Sequence, residues 1–339
     1  MIINPKNITN NARLAEFLEL TDADLDFFIN TNLKSFDTDE EIKNLNKREY
    51  PYKRIIFDKI NGEKRIVFMV SDQKLSNAQR MIKGILDFNY KNPDFVYGFI
   101  KGRSHIDNAK NHLAKKYITK VDIKDFFPSI KREKVKQVFL CIGFNADISE
   151  KLTKITTFQD VLVQGFCTSP VISNMVLIGL DNKAIQYSKE NNLTYTRYGD
   201  DLTFSSNTNK PDINFIEVAL KHDGFQINKN KTKNMGRGML QIVTGLSVFD
   251  NNYPRIPKKI KRRLRLQMYY IEKFGSVSHF NRNCSGVNKK HICDLDGIAG
   301  WIYYINSVEP ALYQKYRPII DSERNRINEI YANYIDLDL

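Results

Sequence analysis

The feature that most narrows what this chain can fold into is a pair of adjacent aspartates in a glycine turn, Gly199-Asp200-Asp201. Leu193 to Tyr198 and Leu202 to Ser206, rich in β-branched and aromatic residues, flank it as strands, which sets both acids at the tip of a hairpin. A third acid, Asp122, closes another strand pattern, Tyr117 to Ile123. Taken singly, an Asp-Asp turn is a solvated turn. Brought together, three carboxylates offer the hard oxygen ligands that magnesium prefers. Joining a hydroxyl to a nucleoside triphosphate needs two divalent ions roughly 3.5–4 Å apart, one at the nucleophile and one at the leaving pyrophosphate.

The surrounding pattern is that of an ordered globular chain. Leu14, Phe17, Leu18 and then Leu25, Phe28 recur at helical spacing in a polar N-terminal stretch. Tyr52 to Asp58 and Lys64 to Val70 read as a hairpin around Asn61-Gly62, the dipeptide favoured in type I′ turns. Lys131 to Ile142 reads as a helix burying Val135, Val138, Phe139 and Ile142, and Ser169 is placed to cap a buried helix with Pro170 in its first turn. From Arg255 onward a basic amphipathic helix carries Arg255, Lys258, Lys259, Arg262, Arg263 and Arg265, with Ile260, Leu264, Met268 and Ile271 as its apolar stripe.

Lys and Arg number 52 against 39 Asp and Glu, a surplus of 13 that favours a polyanionic partner, nucleic acid or an acidic membrane surface. No run approaches the roughly 20 apolar residues of a membrane helix, and the N-terminus lacks a secretory layout, so the expectation is a cytoplasmic protein without membrane insertion. The four cysteines form no Cys-x-x-Cys pair and read as free thiols. His279, Cys284, His291 and Cys293 cluster, but their spacing lies outside the usual zinc patterns and reads as an ordinary loop.

Ordered company changes the standing of the acids. Val121-Asp-Ile-Lys-Asp-Phe-Phe127, Gln164-Gly-Phe-Cys-Thr-Ser-Pro170, Tyr198-Gly-Asp-Asp201 and Gly224-Phe-Gln-Ile-Asn-Lys-Asn-Lys231 follow the order of the palm motifs of reverse transcriptases. Asn108-Ala109 with His112 resembles the Asn-Ala-x-x-His element of bacterial retron polymerases, and Val243-Thr244-Gly245 their Val-Thr-Gly element. Asn61 to Arg65, Leu75 to Arg80 and Tyr97 to Ser104 resemble the retron fingers, so the likeness covers about residues 50 to 275. Two departures are Gly199, where most retron enzymes have alanine, and Phe68-Met-Val-Ser71, where proline is common.

The resemblance implies an α/β right-hand polymerase: N-terminal helices and fingers over 1–115, a palm over 116–250 with an interleaved fingers segment at about 131–165, and a basic helical thumb over 251–339. It implies that Asp122, Asp200 and Asp201 bind two Mg2+ ions, with Mn2+ a possible substitute, and that the Ile123 carbonyl is a further ligand. Phe127 matches the position under the sugar, where a bulky ring excludes a ribose 2′-hydroxyl; its alternative is a core aromatic. Gln164, Gly165, Lys64, Arg65 and Lys231 become candidates for contacting the dNTP; Lys229 or Lys231 is the candidate to offer positive charge to the departing pyrophosphate, each with a solvated surface lysine as its alternative. Asn108, His112 and the basic helix are candidates for nucleic-acid contact. The implied partners are a structured noncoding RNA that is both template and primer, an RNA–DNA hybrid product and a separate effector protein in anti-phage defence. The competing readings are another prokaryotic reverse transcriptase, of group II intron or abortive-infection type, and a non-catalytic RNA-binding scaffold on a palm fold.

Overall fold

The computed structural model describes residues 4–38, 40–58, 62–276 and 289–335. His279 and Cys284, and the side chains of His291 and Cys293, lie outside that description. Two compact units emerge: residues 1–104 with 117–234, and residues 105–116 with 235–339.

The first unit begins with α1 (Asn11–Leu18), α2 (Asp22–Asn30) and β1 (Ser35–Phe36), then the ribbon β2 (Tyr52–Asp58) and β3 (Lys64–Val70) and the long α3 (Gln73–Asn89). The ribbon register runs from Tyr52 opposite Val70 to Asp58 opposite Lys64, one residue off the Asp58–Arg65 pairing that a two-residue type I′ turn at Asn61-Gly62 would give, and Gly62 has a positive φ of 82°. Leu14 and Leu18 of α1, Leu25 of α2 and Leu75, Ile82 and Leu86 of α3 are buried in one core, as their helical spacing requires.

The chain in the second unit contributes α4 (His105–Lys110) before returning to the first with β4 (Tyr117–Asp122), the single turn α5 (Phe126–Ser129), α6 (Arg132–Cys141) and α7 (Ala146–Thr156). Next come α8 (Ser169–Val176), α9 (Ile178–Glu190), β5 (Thr194–Tyr198), β6 (Asp201–Ser206), α10 (Ile213–His222) and β7 (Lys233–Gly236). Strands β5, β6, β4 and β7 form a sheet in that order. Val121, Leu202, Phe204 and Tyr195 bury its apolar side.

In the first unit two helix ends differ from the sequence reading. Ser169 is the first residue inside α8 rather than its cap, because its hydroxyl donates to the Val163 carbonyl at 2.7 Å while Thr168 stands at the cap position. Ile142 caps α6 and is half-buried.

In the second unit the two-stranded ribbon of β8 (Ile242–Val243) and β9 (Leu246–Ser247) precedes α11 (Lys258–Phe274), α12 (Lys289–Val308) and α13 (Pro310–Ile335). Leu264, Met268 and Ile271 of α11 are buried, and so are Ile298, Ile302 and Ile305 of α12. The 105–116 segment is tied to the ribbon region: Thr244 Oγ1 donates to the His105 carbonyl at 2.7 Å, Gln241 Nε2 to that of Lys115 at 3.0 Å, and Ala114 N to that of Val248 at 2.9 Å. The basic helix starts at Lys258, not Arg255. Arg255 is extended, pairs its backbone with Ser247 and meets Asp250 at 3.3 Å, and Pro257 stands at the helix cap. Among the described residues no helix is long and apolar enough to cross a membrane.

Candidate active site

The three acids meet through strand register. In the β4–β6 pairing Asp122 lies directly opposite Asp201, so the end of one strand faces the start of the other. Asp200 follows Gly199, whose φ of +63° closes the turn, and the Asp200 carbonyl accepts the Ile123 N–H at 3.1 Å. On the other flank of β4, Lys124 N donates to Gln226 O at 2.8 Å and Asn228 N to Asp122 O at 2.7 Å, bracketing an antiparallel bridge between Ile123 and Ile227. In such a bridge the residue's own N–H and C=O point away from its partner, so the Ile123 carbonyl leaves the strand on the Asp200 side.

Charge at this point is unbalanced. Lys120 Nζ reaches Asp201 Oδ2 at 2.8 Å, and Lys231 Nζ lies 3.3 Å from both Asp122 carboxylate oxygens. Asp122 Oδ1 and Asp201 Oδ1 are buried and accept no hydrogen bond. Burial, then Asp201 and Asp122, push Asp200 up to about 6, and burial also raises Asp201. Among the described residues no three His, Cys, Asp or Glu side chains close around one point tightly enough to hold a metal as they stand. The lysines supply the positive charge instead. Buried carboxylate oxygens without donors are nevertheless the atoms that a hard cation seeks, so the residues present fit a divalent ion.

Behind the turn stands a network that the sequence reading missed. Arg197, wholly buried on β5, grips Asp181 of α9 with Nε at 2.8 Å and Nη2 at 2.7 Å, and its Nη1 donates to Asn174 Oδ1 at 2.8 Å and to the Gly199 carbonyl at 3.2 Å. Asn174 in turn donates to the Gly98 carbonyl at 3.1 Å, and Tyr195 donates its hydroxyl to Asp181 at 2.7 Å. A buried arginine is stable only when fully paired, so the network fixes β5 relative to α8 and α9. Gly98 lies against the turn itself: a Cβ there would sit 2.8 Å from the Tyr198 carbonyl carbon. An available signal was a charged residue at an inward position between Tyr195 and Tyr198, because a cation there demands an acid elsewhere in the chain.

The other candidates divide by unit. In the first, Phe127 is half-buried, its ring 5.2 Å from that of Phe126 and 6.1 Å from that of Phe99. The Gln164 carbonyl accepts Phe68 N at 2.8 Å, and Gly165, at φ +109°, packs so tightly on β3 that a Cβ would lie 2.9 Å from the Phe68 carbonyl carbon. That pairing brings the Gln164–Gly165 loop onto the strand bearing exposed Lys64 and Arg65. Lys229 is turned to Glu217 at 3.9 Å, leaving Lys231 as the lysine beside the acids.

In the second unit, Lys258, Lys259, Arg262, Arg263 and Arg265 are exposed on α11. Lys258, Arg262 and Arg265, with Lys315 of α13, line a cleft of about 320 Å³. Asn108 and His112 are both 0% exposed, so neither side chain presents a surface to a strand; packing within the fold takes both. Burial pushes His112 down to about 3, which keeps it neutral.

The profile of the reverse transcriptase (RNA-dependent DNA polymerase) family matches residues 53–263, more than half of the chain. The chain belongs to the reverse transcriptase family. This reverse transcriptase is 29% identical to the Retron Ec86 reverse transcriptase of Escherichia coli over 272 residues, covering 79% of each chain. It is 31% identical to the Retron Ec73 reverse transcriptase of Escherichia coli over 240 residues, 65% of this chain and 72% of that one. With the Retron Mx65 reverse transcriptase of Myxococcus xanthus it shares 27% identity over 69% of its own length and 57% of the relative's. It is a retron-type RNA-directed DNA polymerase with the right-hand polymerase fold.

The Gly98 contact yields a prediction for this reverse transcriptase. Gly98→Ala forces the Tyr198–Gly199 backbone to move, and a displacement near 1 Å at reacting groups costs on the order of 100-fold in rate. DNA synthesis is expected to fall by about that factor while far-UV circular dichroism is retained; an unchanged rate would contradict the contact.

Proposed function

We propose that the reverse transcriptase copies part of a structured noncoding RNA into DNA at the turn where Asp122, Asp200 and Asp201 meet. The observation that carries this is the direct pairing of Asp122 with Asp201, with a hydrogen-bond-free buried oxygen on each. Asp122, Asp200 and Asp201, with the Ile123 carbonyl, would hold two Mg2+ ions, and Mn2+ is a substitute of the same ligand preference. Bound there, the ions activate the attacking hydroxyl and stabilise the departing pyrophosphate.

The chain's own residues do the remaining work. Asp122 and Asp201, braced by β4–β6 hydrogen bonds, hold their oxygens in place before substrate arrives. Lys231, 3.3 Å from Asp122, offers positive charge to the leaving group once the carboxylate has another partner. Phe127, backed by Phe126 and Phe99, presents a rigid ring under the sugar, which favours deoxyribose. Gln164 and Gly165 lie along the dNTP, and Lys64 and Arg65 on the adjoining strand meet its phosphates.

On α11, Lys258, Lys259, Arg262, Arg263 and Arg265 grip phosphates of the RNA or of the RNA–DNA hybrid. The template RNA also primes, giving an RNA-linked single-stranded DNA, and the enzyme works in the cytoplasm with a separate effector in anti-phage defence. We read the first unit as fingers and palm and the second as the thumb.

Two outcomes test this reading. Asp200→Asn combined with Asp201→Asn is expected to abolish DNA synthesis in a primer-extension assay while RNA binding persists; comparable extension would refute the assignment. Asp200 is neutral below about pH 6 and ionised above it, so a proton competes with metal as pH falls. The Mg2+ concentration giving half-maximal rate is therefore expected to rise below that point, by up to about tenfold per pH unit. A requirement that stays flat from about pH 7.5 to 5.5 would contradict the raised Asp200.

A further inference from the structure

The Val243-Thr244-Gly245 element has no role in the chemistry above, yet it borders a cleft of about 460 Å³ in the second unit. Ile256, Pro257 and Ile260 form one apolar wall, and α12 forms the other. Gly297, Gly300, Trp301 and Tyr304 are spaced to share one face of that helix and line the cleft together.

The two glycines are unexplained by packing. A Cβ on Gly297 or Gly300 would meet nothing within 4 Å, and neither has a positive φ. Glycine in a helix interior costs about 1 kcal/mol relative to alanine. What the two glycines achieve is an open slot beside two aromatic rings. Trp301 is 41% exposed, and the Tyr304 ring is stacked on His105 at 5.5 Å with its hydroxyl 2.8 Å from His105 Nε2.

A cleft between apolar and aromatic walls, with a polar tyrosine–histidine edge, suits the chemistry of a nucleobase, which stacks on aromatic rings and hydrogen-bonds at its rim. Its surroundings fit the rest of a nucleotide. Ile260 belongs to α11, whose Lys259 and Arg263 are exposed next to it along the same helix. We propose that this cleft takes an unpaired nucleobase of the bound RNA strand, stacked against Trp301, while the cations of α11 hold the adjoining phosphates. The inference rests on the RNA-binding reading of α11 and adds to it a base-recognising site.

Trp301 is the only tryptophan in the chain, so its emission reports on this cleft alone. The full-length protein is titrated with single-stranded oligoadenylate RNA, with an abasic ribose-phosphate chain of equal length, and with free AMP. Binding is measured in parallel by filter retention. Expected is quenching of Trp301 by oligoadenylate, none by the abasic chain, and roughly tenfold weaker binding of the abasic chain, the size of one stacked base. Gly300→Leu, which places a branched side chain in the slot from a position where a Cβ meets nothing within 4 Å, is expected to abolish quenching and weaken oligoadenylate binding by about the same factor, with the salt dependence unchanged.

Oligoadenylate retained without any change in Trp301 emission would overturn the base slot while leaving the RNA grip standing, and would point to an apolar protein partner for the cleft. Retention of neither polymer would overturn both readings. Quenching by AMP at the same concentrations as by oligoadenylate would overturn the assignment to a base within a strand. Undiminished binding by Gly300→Leu would do the same for the slot itself.

Discussion

Like charges crowded at one turn are the constraint around which the first unit is organised. Asp122 and Asp201 face each other across β4–β6 and Asp200 follows Gly199, so three carboxylates share a partly water-excluded corner. Their repulsion and desolvation favour protonation, seen in the raised Asp200. Lys120 and Lys231 offset part of this. Such a corner persists because the backbone around it is fixed from several sides: Asn228 on Asp122, Ile123 on Asp200, and Arg197 on Gly199. The energetic tension at the acids is what makes the site receptive to divalent cations.

Glycine serves that rigidity at two close approaches. Gly98 lets one segment lie against the Tyr198–Gly199 backbone, and Gly165 lets the Gln164–Gly165 loop lie against Phe68 of β3. Gly199 itself has Phe99 ring atoms 3.3 and 3.4 Å from where a Cβ would stand. A positive φ of +63° together with the neighbouring ring therefore favours glycine at this position.

Much of this was legible before any coordinates. The strands of the β2–β3 ribbon are readable because β-branched and aromatic runs flank a glycine turn signal, and those of the acid hairpin because similar runs flank Gly199-Asp200; the turn type of the first ribbon is not, since its register is one residue off a two-residue turn at Asn61-Gly62. The residues proposed to bear the chemistry are read from motif order. What sequence patterns do not encode is pairing across distance. Arg197 and Asp181 sit on different elements, and only their burial reveals them as partners. Asn108 and His112 look like polar surface residues on a short helix, yet the 105–116 segment is packed against the ribbon region and takes them inside. Arg255 falls in the basic run but pairs its backbone with Ser247, which local periodicity cannot distinguish from a helix start.

Metal stoichiometry tests the central claim most directly. Manganese bound to the full-length protein in the presence of an unreactive dNTP analogue is counted by electron paramagnetic resonance, for the wild type and for Asp122→Asn. The account expects about two ions per chain in the wild type, and the loss of at least one in the variant. Equal stoichiometry in the two proteins would contradict it.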